Sequence, residues 1–342
     1  MSTEAFTPIL ASTKNQKVFE GLARGKAYCF EGTYGTAMAF YSWLKTQVNF
    51  NYPVHDYQSS RVNRDQLKSL TQNLLVRIAN HQINLANAPQ IPWLKEFYPK
   101  LSEFYLPFTD VLGMNGAWQW YTKGIQFPNL NHKVHPYYGV YFPTRYEHLE
   151  LFNEWLGSND PIRSAIDIGT GCGVLSFYMI KNGVKKVLAT DINPNALLSL
   201  ELDLKRLGME AKVELNRADM LDGIDAKDFD LVVFNPPWIP ENFSNALDMA
   251  MYYQPNFFDN FFSQAYEKLK PGSTLLLLFS TFAQVVGAVN DHPIERELNA
   301  NNRFALVSRT EKPILQNPSS KKHWLTEIRN KERAELWELV RI

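Results

Sequence analysis

From Arg163 to Arg341 the chain alternates apolar runs of strand length with amphipathic runs of helix length. The apolar runs are 163-RSAIDIG, 185-KKVLATD, 211-AKVELN, 230-DLVVFN and 274-TLLLLFS, followed by 303-RFALVS and 335-ELWELVR. Between them the spacing predicts helices near 173–183, 194–207, 258–269 and 292–301. Strand and helix in strict alternation imply a parallel sheet covered on both faces, a doubly wound α/β domain.

The front third follows a different pattern. In 65-DQLKSLTQNLLVRIANHQINLANA-88, Leu67, Leu70, Leu74, Leu75, Ile78 and Leu85 recur mostly at three- and four-residue steps, which predicts one amphipathic helix. Flanking stretches such as YCFEGTYGTAMAFYSWL are rich in Phe, Tyr and Trp; these rings pack a core or form a stacking surface. The front third is thus expected to be a mainly helical, aromatic-rich domain over residues 1–130, with a role in substrate recognition. The proline-bearing segment near 125–145 reads as a linker into a second domain at 131–342.

Composition narrows the class. Apolar residues make up 45% and charged residues 20%, ordinary values for a globular core, and no apolar run reaches the ~20 residues needed to span a bilayer. No membrane partner is expected. Two cysteines, Cys29 and Cys172, are too few for a disulfide framework, and the histidines lack metal-ligand spacing, so no metal is expected. The N-terminus lacks a basic segment followed by a long apolar one, so cytoplasmic residence is the default expectation. Net charge is zero, which argues against wrapping long nucleic acid through its phosphates.

In a doubly wound sheet ligands bind at the carboxyl ends of the strands, so the loops there carry the chemistry. The first is 167-DIGTGCGVLS-176, where Gly169, Gly171 and Gly173 let the backbone turn sharply and a ligand approach closely. Its G-x-G-x-G spacing differs from the G-x-G-x-x-G of dinucleotide folds. The second is 189-ATDINPNAL-197. Asp191 there can accept from both ribose hydroxyls while Ile192 lies against a flat base; alternatively, Asp191 caps the following helix. In the third, 217-RADMLDG-223, Asp219 can accept from an adenine amino group and the next backbone amide, that of Met220, can donate to the ring. Three strand ends agree on an adenosine-like ligand.

Over roughly residues 135–342 the sequence resembles the class I S-adenosylmethionine-dependent methyltransferases: DIGTGCG is similar to their glycine-rich first motif, ATDIN to the acidic second, ADM to the third. The resemblance implies a Rossmann-like sheet of seven strands, mostly parallel with an antiparallel last strand. It also implies S-adenosylmethionine as cofactor, held by Asp167, Gly169, Thr170, Gly171, Gly173, Asp191, Ile192, Asp219, Met220 and Asn235.

At the end of the fourth apolar run, Asn235-Pro236-Pro237-Trp238 resembles the N-P-P-aromatic motif of methyltransferases that modify a nitrogen on a planar group. These four are the expected catalytic residues. The Asn235 side-chain oxygen and the Pro236 carbonyl would hold the two hydrogens and aim the lone pair at the methyl group, the prolines would fix that geometry, and Trp238 would stack on the target. Release-factor glutamine methyltransferases share this motif and a P-R-P-x-T-E-like approach segment. Here 139-GVYFPTRYEHLEL-151 keeps a proline, an arginine and a glutamate in another order, which brings in Tyr138, Arg145 and Glu147 as candidates near donor or substrate. Methyltransferases of ribosomal and transfer RNA bases with a related small domain carry NPP-aromatic too. The substrate stays open between RNA or DNA, a protein glutamine amide and a small planar metabolite. Other classes are a non-catalytic cofactor-binding module, which has no physical need of the clamp, and an NAD-dependent oxidoreductase, which should carry G-x-G-x-x-G.

Overall fold

The computed structural model describes residues 6–242, 246–315 and 324–342. The chain divides into two compact units, residues 1–119 and 120–342, so residues 120–130 go with the second unit rather than the first. One reason is a short antiparallel ladder, Ile125–Gln126 on Lys133–Val134, inside the stretch that its prolines mark as a linker.

The first unit is rich in helix, with Asn15–Ala23, Tyr34–Asn51 and Tyr57–Thr71, but a five-stranded sheet also runs through it. The expected single helix over 65–88 is corrected. The helix stops at Thr71, and Leu74–Ala79 is a strand pairing with Tyr28–Phe30, Gln82–Ile83 and Glu103–Pro107. A four-residue step fits a helix and is also twice the strand period, so Leu70, Leu74 and Ile78 satisfy both patterns. Leu74, Val76 and Ile78, all fully buried, decide for the strand. Asn80 and His81, both at positive φ (50° and 59°), then make the two-residue turn to Gln82. Part of the aromatics is core: Phe30 meets Phe40 and Phe108 edge-on at 5.7 and 5.0 Å, and all three are buried, whereas Phe50 and Tyr105 are exposed.

The second unit holds a seven-stranded sheet whose strands we number β1 (Ser164–Ile168), β2 (Lys186–Asp191), β3 (Val213–Arg217), β4 (Leu231–Phe234), β5 (Thr274–Ser280), β6 (Phe304–Pro313) and β7 (Arg333–Arg341). Their spatial order is β3-β2-β1-β4-β5-β7-β6. The first five are parallel, while β7 lies antiparallel between β5 and β6. Strands covered on both faces need continuous apolar sequence, and β4 is buried at every position.

Helices α1 (Glu147–Ser158), α2 (Val174–Lys181), α3 (Pro194–Leu207), α4 (Phe257–Lys268) and α5 (Pro293–Ala300) accompany the strands. Phe258, Phe261, Phe262 and Ala265 of α4 form one core with Val232, Phe234, Leu275, Leu277 and Trp337. Burying each such phenylalanine contributes about 1.5–3 kcal/mol. On α1, Trp155 donates to Glu338 of β7 at 3.0 Å. The strand order reverses between β1 and β4, and a crevice opens beyond their carboxyl ends. Among the described residues no helix is long and apolar enough to cross a membrane.

Candidate active site

The loop from β1 to α2 is shaped by three glycines in the left-handed region, Gly169 (φ 61°), Gly171 (φ 53°) and Gly173 (φ 81°). A Cβ on Gly173 would stand 2.5 Å from Leu200 Cδ1, and one on Gly171 would stand 3.1 Å from the Tyr141 carbonyl oxygen. A side chain at either position would collide with its neighbour, so the loop closes this tightly only with glycine. Behind the loop, the fully buried Asp167 accepts at Oδ2 from Thr170 Oγ1 (2.7 Å), Ser176 Oγ (2.6 Å) and Ser176 N (3.1 Å). Its Oδ1 is buried without a partner. Burial pushes the Asp167 carboxyl up to about 6, against the pull of those donors.

This loop forms one wall of a cavity of about 390 Å³. Asp167 and Gly173 are not on that wall; they hold the loop's shape from behind, while Gly169, Thr170 and Gly171 line it. Against this loop, on the same wall, Asp191 ends β2. Its Oδ2 accepts from Gly171 N at 2.9 Å and its Oδ1 from Asn193 N at 2.8 Å. Burial raises its pKa, opposed by these backbone donors. The helix cap is another residue: Asn193 Oδ1 accepts from Asn195 N at 3.0 Å, with Pro194 at the first helical position. That leaves Asp191 on the cavity wall beside Ile192, an apolar side chain 42% exposed. Asp219 and Met220 complete this end, Met220 at a positive φ of 54°.

A second cavity of about 230 Å³ is lined by Pro236, Trp238, Arg145 and His148 among others. Asn235, Tyr141 and Ala250 line both cavities, so the two meet at Asn235. The Asn235 Oδ1 is buried and has no hydrogen-bond partner. Such an atom costs about 1–3 kcal/mol unless something donates to it. Pro237 lines the first cavity, Pro236 and Trp238 the second. Trp238 donates from Nε1 to the Leu278 carbonyl at 3.3 Å, which fixes its indole, and its ring meets His148 edge to face at 5.4 Å. Beyond Trp238, Ile239–Pro240 pairs in parallel with Tyr252–Tyr253, closing off an insertion whose Met249 and Ala250 reach the first cavity.

Of the approach segment, Arg145 lines the second cavity and donates from Nη1 to the Leu315 carbonyl at 3.3 Å. Tyr138 and Glu147 line neither of these two cavities, and Glu147 lines a third beside Arg145. Tyr138 offers its carbonyl to Asn195 Nδ2 (2.9 Å), and both Glu147 oxygens are engaged, by Leu315 N (2.8 Å) and Tyr146 N (3.1 Å). Sequence reasoning missed Tyr141 and His148. Both stand in the quoted approach segment, but neither has a spacing to any other chemistry-bearing residue that would single it out. Tyr141 accepts at its carbonyl from Cys172 N at 3.1 Å, and burial pushes its hydroxyl up to about 12. Among the described residues no group of three or more His, Cys, Asp or Glu could hold a metal ion.

This geometry sets two cavities side by side, with the Asn235 amide at their junction. The chain is similar to several known proteins. Residues 149–308 match the profile of the methyltransferase small domain. A Methanocaldococcus jannaschii protein provisionally named a protein N5-glutamine methyltransferase is 25% identical over 173 residues, 48% of this chain and 84% of that protein. The release factor glutamine methyltransferase of Bacteroides thetaiotaomicron is 35% identical over 125 residues, 35% of this chain and 43% of the relative. The ribosomal protein L11 methyltransferase of Listeria innocua is 28% identical over 151 residues, 42% of this chain and 43% of the relative. The chain thus spans less than half the length of these last two. A solved structure, the ribosomal protein L11 methylase from Lactobacillus delbrueckii subsp. bulgaricus, aligns over 63% of this chain and 90% of that one, with 18% identity and a TM-score of 0.40.

Proposed function

We propose, from the premise that this chain is a class I methyltransferase whose small domain spans residues 149–308, that it methylates the side-chain amide nitrogen of a protein glutamine. The single observation that carries this reading is Asn235, at the head of Asn-Pro-Pro-Trp, standing where the two cavities meet with a buried acceptor that no donor among the described residues satisfies. The glutamine methyltransferases among the relatives favour an amide over a nucleic-acid base.

The first cavity fits S-adenosylmethionine: the left-handed glycines let the loop turn tightly against Tyr141 and Leu200 and put Gly169 and Gly171 on its wall, Asp191 offers a carboxylate for ribose hydroxyls, and Ile192 offers an apolar face for adenine. When bound, that cofactor supplies an electrophilic methyl group on a sulfonium. The chain's own residues do the rest. An amide nitrogen is a poor nucleophile because its lone pair is delocalised into the carbonyl. Asn235 Oδ1 and the Pro236 carbonyl would accept its two hydrogens, turn the lone pair toward the first cavity and offset the positive charge that grows on nitrogen. The methylated nitrogen is then strongly acidic and sheds its proton without a base of matched pKa. Pro236 and Pro237 restrict the backbone that presents these acceptors, and Trp238, held by Leu278, covers the planar group.

The test is incubation with methyl-labelled S-adenosylmethionine and a cell extract separated into protein, RNA, DNA and small-molecule fractions, beside Asn235→Ala. The expected result is label in protein, absent with the variant, and released by acid hydrolysis as methylammonium, which becomes volatile when the hydrolysate is made alkaline. Label in RNA or DNA would replace the amide with a base. Label in no fraction, with cofactor binding intact, would remove the reading.

A further inference from the structure

The second cavity holds another buried polar atom without a partner. His148 is 2% exposed, lines this cavity with Asn235 and Trp238, and its Nε2 has no hydrogen-bond partner. Its ring stands edge to face on Trp238 at an interplanar angle of 88°, so the two rings fix each other's orientation. Burial holds this imidazole down at about 4, so it is neutral near pH 7 and carries one N–H. Leaving a second polar atom unpaired in the cavity that Asn235 also lines is costly, and it costs least when an arriving group satisfies both.

The two atoms have complementary capacities. Asn235 Oδ1 only accepts, whereas a neutral His148 can donate from Nε2. We propose that His148 is a substrate-positioning residue whose Nε2–H holds the acceptor atom conjugated with the target nitrogen. The cavity therefore selects an NH2 with an acceptor one carbon away, as in a carboxamide or an amidine-like ring edge, over a plain aromatic amine. This deepens the proposed function and rests on its assignment of the second cavity to the substrate.

The test measures binding, so it does not wait on a natural substrate. Protein saturated with S-adenosylhomocysteine, which fills the first cavity, is titrated with benzamide (NH2 and carbonyl), aniline (NH2 alone) and acetophenone (carbonyl alone), followed by the relaxation of probe protons. Wild type is expected to bind benzamide about three- to tenfold more tightly than aniline, the worth of one hydrogen bond. His148→Leu should erase that difference and His148→Gln, which restores an N–H, should recover part of it. S-adenosylhomocysteine affinity should be the same in all three, which shows that each folds. Asn235→Ala should instead erase the preference for benzamide over acetophenone. If His148→Leu keeps the full preference while Asn235→Ala loses its own, the role of His148 is overturned and the amide clamp stands. If neither variant differs from wild type, or wild type binds no benzamide, both fall.

Discussion

Gly171 donates its backbone N–H to the Asp191 carboxylate at 2.9 Å. One side chain therefore both closes the glycine loop and faces the ligand cavity. Asp191→Ala should weaken S-adenosylmethionine binding by about 10- to 100-fold, from lost hydrogen bonds to a charged acceptor and a loosened loop. Unchanged affinity by calorimetry would remove Asp191 from the cofactor site.

Gly173→Ala meets two obstacles, a φ of 81° and Leu200 Cδ1 at 2.5 Å from the added carbon. It should destabilise the fold by about 1–3 kcal/mol in urea unfolding. In a Leu200→Ala background the added cost should shrink but not vanish, because the backbone strain stays. Full additivity of the two substitutions would rule out the contact as a source of the loss.

Asn235→Ala should lower turnover by on the order of 10²-fold or more, as loss of a transition-state acceptor does. Cofactor affinity should hardly change. A variant that keeps wild-type turnover would take this amide out of the mechanism.

His148, held near a pKa of about 4, is protonated far more readily in the unfolded chain, whose histidines titrate near 6.5. Its contribution to stability is complete above pH 6.5 and is lost as pH falls through 4, up to about 3 kcal/mol. Asp167, raised to about 6, acts with the opposite sign: its contribution is complete below 3.8 and is lost as pH rises through 6. Between pH 4 and 6 the two oppose each other, so wild type alone is uninformative. The difference in unfolding free energy between wild type and His148→Leu isolates the histidine, and it should shift in favour of the variant as pH falls from 6.5 to 4. A pH-independent difference would contradict a buried neutral imidazole.

Most of the sheet was legible because β1, β2, β4 and β5 are apolar runs bounded by turn residues, and four of its helices lie within a residue or two of their expected bounds; β6 runs on past its apolar start through the polar, mostly exposed residues 308–313. The strand–loop motifs were legible for a related reason: Gly169, Asp191, Asp219 and Asn235 each follow a run whose end is easy to find. The front unit was not, since Leu70, Leu74 and Ile78 fit helix and strand alike, and only the burial of Val76 between two of them separates the readings. The second cavity was half legible. Trp238 announces itself through its motif, but Tyr141 and His148 come to it from an irregular segment where no period applies. Tyr138 and Glu147, offered by that segment's resemblance to an approach motif, make hydrogen bonds to helix and loop that no sequence pattern announces.

Strand β7, Arg333–Arg341, lies between β5 and β6. The order in which a ribosome makes this sheet therefore differs from the order in which it is laid. When β6 emerges it has no neighbour: its only partner in the sheet is β7, and β5 carries an open edge of seven mostly buried residues until β7 arrives. For that interval a nascent chain exposes two unpaired strand edges, templates for mispairing. Synthesis that stalls between Pro313 and Arg333 should leave a species held by holdase chaperones, with the cofactor loop already made and the sheet behind it still unsealed.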